Sequence, residues 1–226
     1  MKPIIGALVL LPFMSALALA QAPTADAKEG KFYVEGGVGF GVSSMWPSAK
    51  SSKGFDSAAE FTAGFGAEYG ITENIGVFAK FGIGLLLEND PGILDIGMTF
   101  DGAFKLIEKK GDVPALSVYA GLGFVNIDVD PKVGKSDDAT DFVFETGVQF
   151  DIGPADASWS VQPFAGFQVV AGSRPFKAYN GLLQVVAGVK VLLKLTDNLF
   201  LEPSLTFTGG NFQDNVIFGI GAQLRF

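Results

Sequence analysis

The sequence predicts an all-β chain that closes into an antiparallel transmembrane barrel, and three observations carry that expectation. Hydrophobic residues make up 48% of the 226 residues and charged ones only 18%, against roughly 25% charged in an average soluble domain. Past the first two dozen residues, no apolar run approaches the ~20 residues a membrane helix needs. The longest, Leu182 to Leu195, is interrupted by Gln184, Lys190 and Lys194. From residue 31 onward the dominant period is two, as strands with two unlike faces require. A chain this apolar, lacking spanning helices, satisfies its backbone inside a bilayer only as a closed barrel.

Ten alternating segments follow in order, each with bulky apolar residues on one parity. The first carries Phe32, Val34, Val38, Phe40 and Val42, and the second Phe61, Ala63, Phe65, Ala67 and Tyr69. Ile75, Val77, Ala79, Phe81, Ile83 and Leu85 mark the third; Ile96, Met98, Phe100, Phe104 and Leu106 mark the fourth. The fifth has Leu116, Val118, Ala120, Leu122 and Phe124, and the sixth Phe142, Phe144, Val148, Phe150 and Ile152. Trp159, Val161, Ala165, Phe167 and Val169 form the seventh, and Leu183, Val185, Ala187, Val189, Val191 and Leu193 the eighth. Leu199, Leu201, Leu205 and Phe207 make the ninth, then Val216, Phe218, Ile220, Ala222, Leu224 and Phe226 the tenth. Ten is even, as single-chain bacterial barrels require. Pro163 and Pro203 cannot donate to a ladder, so they sit near bulges, or the barrel has eight strands with one hairpin folded elsewhere.

The connections alternate in length. Thr72 to Asn74, Glu108 to Asp112, Gly153 to Ser158 and Thr196 to Asn198 form a tight set. Ser44 to Ser57, Asp128 to Thr140 and Gly172 to Gly181 are longer, while Glu88 to Gly92 and Gly209 to Asp214 are short. Short periplasmic turns and longer outer loops would put both termini in the periplasm.

The N-terminus reads as a secretory signal: Lys2, an apolar core from Ile4 to Met14, then Ala18-Leu19-Ala20 as small residues at the cleavage point. The expected division is a signal peptide over 1–20 (cleavage at 22 or 27 being the alternatives), a short periplasmic tail over 21–30, and the barrel domain over 31–226. With no Cys in the chain, lipoprotein processing and disulfides are excluded. The formal charge of −8 gives no support to nucleic-acid binding.

A soluble barrel would place the bulky parity inside. The other parity here is Gly, polar or charged, too poor for a core. Phe32, Tyr69, Phe104, Phe150, Trp159 and Phe226 also gather at the terminus end of the strands, as an interfacial girdle does. The bulky parity therefore faces lipid.

The final segment, Val216 to Phe226, alternates and ends on Phe. It resembles the C-terminal strand of bacterial outer-membrane proteins, which in that family is read by the barrel assembly machinery. Ile71-Thr72-Glu73-Asn74-Ile75 and Leu195-Thr196-Asp197-Asn198-Leu199 resemble turns of OmpA-like small barrels, in which Asn suits the tight backbone. The resemblance implies an outer-membrane protein in contact with lipid and the assembly machinery, with Phe226 as the assembly signal. It covers the barrel domain only, and no peptidoglycan-binding domain is found.

The chain has no His, which removes the usual imidazole base for hydrolysis near neutral pH. Known outer-membrane proteases, phospholipases and lipid A acyl-modifying enzymes resemble one another in using it. No catalytic, cofactor or metal residues are expected. Asp128, Asp130, Asp137, Asp138 and Asp141 crowd the third outer connection, where a solvated loop is favoured over Ca²⁺ ligation. By parity, Gly39, Gly66, Gly82, Gly97, Gly121, Gly147, Gly166, Gly188 and Gly219 face the lumen. So do Glu35, Glu68, Lys80, Asp101, Lys105, Glu145, Lys190 and Glu202, with Arg225. These charges form a candidate cross-barrel cluster, because buried charges need partners or water. An ion-pair plug and a polar channel lining remain alternatives, the Gly belt favouring space for small solutes. The expected role is structural or that of a narrow passive channel. The alternative is an adhesin binding host-surface ligands through Trp46, Lys50, Lys53, Phe55, Arg174, Phe176, Lys177 and Tyr179.

Overall fold

The computed structural model describes residues 28–45, 58–87, 92–130, 137–154, 157–172, 182–210 and 213–226. Ten strands run through them: β1 (Phe32–Met45), β2 (Ala58–Gly70), β3 (Ile75–Leu87), β4 (Gly92–Ile107), β5 (Ala115–Asp130), β6 (Asp137–Asp151), β7 (Trp159–Gly172), β8 (Leu182–Lys194), β9 (Leu199–Gly210) and β10 (Gln213–Arg225). Each pairs antiparallel with its sequence neighbours, and β1 pairs with β10 from Tyr33↔Arg225 to Met45↔Gln213, which closes the barrel. The ten-strand count stands, and the eight-strand alternative falls.

The parity read from the sequence is the facing in space. Phe40, Phe65, Leu122, Phe142 and Phe218 are exposed on the outer wall, while Glu68, Asp101, Gln162, Lys190 and Glu202 are buried inside. Such an inversion suits a wall solvated by lipid, since a continuous apolar band in water would be an aggregation surface.

The two prolines act otherwise than expected. On β6–β7 the register runs to Gln149↔Phe164 and resumes unshifted at the isolated bridge Ile152↔Val161. The gap falls at Pro163, which has no N–H to give Phe150. The β8–β9 ladder is likewise interrupted between Lys190↔Ser204 and Leu193↔Leu201, beside Pro203, again without a shift. Neither proline sits at a bulge; the register shift in these strands lies on β4–β5 between Lys105 and Ile107. That bulge leaves both Leu106 and Ile107 exposed, widening the apolar band at its terminus end.

Two turns share one device. Thr72 Oγ1 accepts hydrogen bonds from the N–H groups of Asn74 and Ile75 at 3.2 and 3.1 Å. Thr196 Oγ1 accepts from Asn198 and Leu199 at 3.4 and 3.1 Å. The Thr hydroxyl satisfies turn donors that a two-strand connection would leave open. The third outer connection is shorter than the alternation suggested, because pairing persists through Asp128↔Asp138 and Val129↔Asp137. Asp128, Asp130, Asp137, Asp138 and Asp141 therefore belong to strands. The signal residues and the eight loop residues from Trp46 to Tyr179 named for adhesion lie outside the described residues.

Candidate functional site

The lumen is where charge collects. On β3, Lys80 reaches across to Glu145 of β6, to which it donates a hydrogen bond, and stands 3.1 Å from Asp101 of the adjacent β4. Gln168 of β7 donates from Nε2 to the other Glu145 oxygen at 2.8 Å. On β8, Lys190 lies 3.6 Å from Glu202 of the adjacent β9 and 3.5 Å from Glu35 of β1. Lys80 is 2% exposed and Lys190 1%.

The two clusters repeat one arrangement half a turn apart. A lysine on strand n directly pairs a hydroxyl residue on n+1, Lys80↔Thr99 in one and Lys190↔Ser204 in the other. Two residues further toward the terminus end on n+1 stands an acid, Asp101 or Glu202, and strand n+3 supplies a glutamate, Glu145 or Glu35. Each clamp spans four strands. A third link joins Glu60 of β2 to Asn215 of β10, whose Nδ2 donates at 3.4 Å past Gly41 of β1.

Glycine makes room for this filling. A Cβ at Gly66 would lie 2.6 Å from the Phe78 ring, one at Gly188 2.6 Å from the Phe164 ring, and one at Gly166 2.7 Å from the Tyr119 hydroxyl. At these three positions, side chains from nearby strands lean into the space that the missing Cβ atoms leave. Glu68 is buried on the same inner face.

Other candidate residues stand apart from the clamps. Lys105 sits at the terminus-end rim, its Nζ donating to the Glu73 carbonyl at 3.5 Å. Arg225 also lies at that rim, donating from Nε to Gln223 at 2.7 Å, with its guanidinium 4.1 Å from the Phe200 ring centre and 4.9 Å from that of Tyr33. It borders a vestibule of about 440 Å³ lined also by Lys28, Lys109, Asp151 and Trp159. Near it, the Lys194 ammonium, hydrogen-bonded at 2.8 Å, holds the exposed Asp197 carboxyl below its usual value. Phe226 points outward, its ring 6.5 Å from that of Phe32 and its N–H donating to the Phe32 carbonyl at 2.9 Å.

The sequence reading missed several lumen members: Glu60, Asp141, Tyr119, Asn215 and the glutamines at 149, 162, 168 and 184 are all buried. The signal was present, since each falls on the inward parity of its strand. Attention to formal charge alone passed over the amides, and Glu60 precedes the first aromatic of its segment.

No curated protein matches the chain. Among solved structures it is similar to the translocator domain of the autotransporter NalP from Neisseria meningitidis, at 11% identity and TM-score 0.53, covering 95% of this chain and 93% of that one. It is also similar to the transport unit of the autotransporter AIDA-I from Escherichia coli (10% identity, TM-score 0.52, 94% and 96% covered). The outer membrane protease OmpT from Escherichia coli follows at 6% identity and TM-score 0.50, with 87% and 97% covered. At these identities the likeness is one of fold. The model of the outer membrane protein beta-barrel domain matches residues 8–169, and with the closed barrel and its lipid-facing wall this makes the chain an integral outer-membrane protein belonging to that family.

Proposed function

We propose that the protein is a sealed, non-catalytic barrel whose role is structural, a rigid outer-membrane scaffold that presents its loops, and that it does not pass solutes. The observation that carries this reading is the mid-lumen packing. Lys80, Asp101, Glu145, Lys190 and Glu202 are each no more than 3% exposed, and they link strands across the bore. A water-filled pore would leave such charges solvated, whereas here each lysine answers acids from two strands. The tight, Thr-closed turns and both chain ends belong to the periplasmic side in this reading, after removal of residues 1–20. Phe226 is then the signal presented to the assembly machinery.

The absence of His in the sequence supports the non-catalytic part, because no imidazole is available to work near neutral pH. Single-channel recording on the refolded chain in planar bilayers tests the seal. The expected record is silent under symmetric molar salt, and steady ohmic steps in the wild-type protein would overturn the reading in favour of a passive channel.

A further inference from the structure

The mouth of the bore at the terminus end carries more positive than negative charge. Four cations, Lys28, Lys109, Lys194 and Arg225, line the vestibule of about 440 Å³, and among the described residues one acid, Asp151, lines it with them. Asp151 is held by Lys109 at 2.9 Å, while Lys194 reaches the exposed Asp197, which is not part of the lining, at 2.8 Å. Neither Lys28 nor Arg225 has a carboxylate within ion-pair distance among the described residues; the Arg225 charge acts on Glu202 of the second clamp only from further away. A concave site lined by one sign of charge concentrates the opposite ion, so the vestibule favours an anion.

Arg225 is the fixed element of the site. Its guanidinium lies 4.1 Å from the Phe200 ring centre and 4.9 Å from that of Tyr33, and its Nε donates to Gln223 at 2.7 Å. The two rings and the Nε bond hold the guanidinium plane, while its terminal nitrogens donate to no described residue. Such a held fork matches the two oxygens of a planar carboxylate, where an ammonium offers only a point charge. Much of the remaining wall is apolar, with Leu192, Phe200, Pro154 and Ala157 in the lining. Leu192 and Arg225 line the cavity while their neighbours Leu193 and Leu224 are exposed on the outer wall. The vestibule therefore opens inside the ring of strands and not toward the surrounding lipid.

We propose that this vestibule binds the free C-terminal carboxylate of a short peptide whose last side chains are apolar. The carboxylate takes the Arg225 fork, Lys28 adds a second positive charge, and an apolar side chain rests against Phe200 and Leu192. About 440 Å³ falls within the roughly 300–1,000 Å³ of small-molecule sites, which pair apolar walls with a few placed polar groups. A bare phosphate would answer the cations and leave the apolar wall wet, and a neutral peptide would leave the guanidinium without a counter-charge. The inference goes beyond the scaffold role and does not need the seal, because every group it uses lies at the mouth.

The test titrates the refolded full chain in detergent micelles with the peptide acetyl-Ala-Phe-Ala bearing a free C-terminal carboxylate, by calorimetry against empty micelles. The expected dissociation constant is on the order of 0.1–1 mM. The same peptide as its C-terminal amide should bind about tenfold more weakly or worse, the usual worth of hydrogen bonds between charged groups. Raising sodium chloride from about 50 to about 500 mM should weaken the acid and leave the amide unchanged. Arg225→Lys keeps the charge but removes the fork and should lower affinity about fivefold. Lys28→Gln, at an exposed position outside the strands, should lower it about two- to threefold, and it stays readable where a change in β10 impairs refolding. Equal binding of acid and amide, no heat up to about 10 mM peptide, or unchanged affinity in Lys28→Gln and Arg225→Lys alike would overturn the proposal. Inorganic phosphate binding as tightly as the peptide would overturn it too, in favour of a site for any small anion.

Discussion

Replacing Lys80 with Met tests the clamps most directly, because methionine keeps the stem and deletes only the charge. The lysine is 2% exposed, and it both donates to Glu145 and lies 3.1 Å from Asp101. Its loss leaves two carboxylates buried against each other, with Gln168 Nε2, at 2.8 Å from Glu145, as the neighbouring donor. Breaking a buried pair from one side costs about 3–5 kcal/mol, because the surviving charge is uncompensated. That is a large fraction of the roughly 5–15 kcal/mol that holds a domain together. The triple change Lys80→Met, Asp101→Asn, Glu145→Gln removes all three charges at nearly constant volume and should recover most of the loss. Reversible urea unfolding in lipid vesicles, followed by Trp159 fluorescence and by the gel shift of the heat-denatured form, measures both. A single variant within about 1 kcal/mol of wild type would refute the reasoning. So would a triple variant no more stable than the single one, since the cost would then lie in packing rather than in charge.

Further outcomes follow from the same geometry. Leu122→Arg, at an exposed mid-strand position of the outer wall, should cost about 2–4 kcal/mol in vesicles if it meets the bilayer midplane, and its penalty should fall in thinner lipids. Gly166→Ala should cost about 1–3 kcal/mol by pressing on the Thr146 carbonyl oxygen and the Tyr119 hydroxyl, 2.5 and 2.7 Å from the new Cβ. Gly102→Ala, which meets nothing within 4 Å, should be neutral or slightly stabilising in the same assay. Deleting Phe226 removes the hydrogen bond to Phe32 and the ring beside it; the yield of heat-modifiable barrel in outer membranes should drop, and an unchanged yield would argue against its role in assembly.

The outer wall was legible in the sequence because its cause is local. Period two places Phe40, Phe65 and Phe218 on one face from the backbone geometry of their own strands, and no other part of the chain has a say. The prolines were harder for a physical reason. A missing N–H is equally compatible with a bulge, an edge or a gap in one ladder, and only the partner strand decides. At Pro163 and Pro203 the neighbouring pairs hold the register on both sides of the gap, so one ladder loses a bond and nothing shifts. The aspartates from Asp128 to Asp141 misled for a related reason. Charge density suggests a loop, yet β5 and β6 continue to pair through them.

The lumen was legible as a list of inward charges but not as a set of partners, and the difference lies in what fixes each. Facing depends on parity within a strand. Partnership depends on the stagger accumulated around the closed wall, because Lys80 and Glu145 are 65 residues apart and meet only at the height that β3, β4, β5 and β6 jointly set. A change of two residues in any of those registers keeps every side chain on its face and still moves Glu145 to another level. That is why Lys105, on the same parity as Asp101, ends at the rim with the Glu73 carbonyl, two inward positions past the level that Lys80 can reach. It also explains why the second clamp could not be inferred from the first. Lys190 repeats Lys80 only once β10 is joined to β1, and the closure between Tyr33 and Arg225 is what brings Glu35, near the start of the barrel, to a lysine near its end.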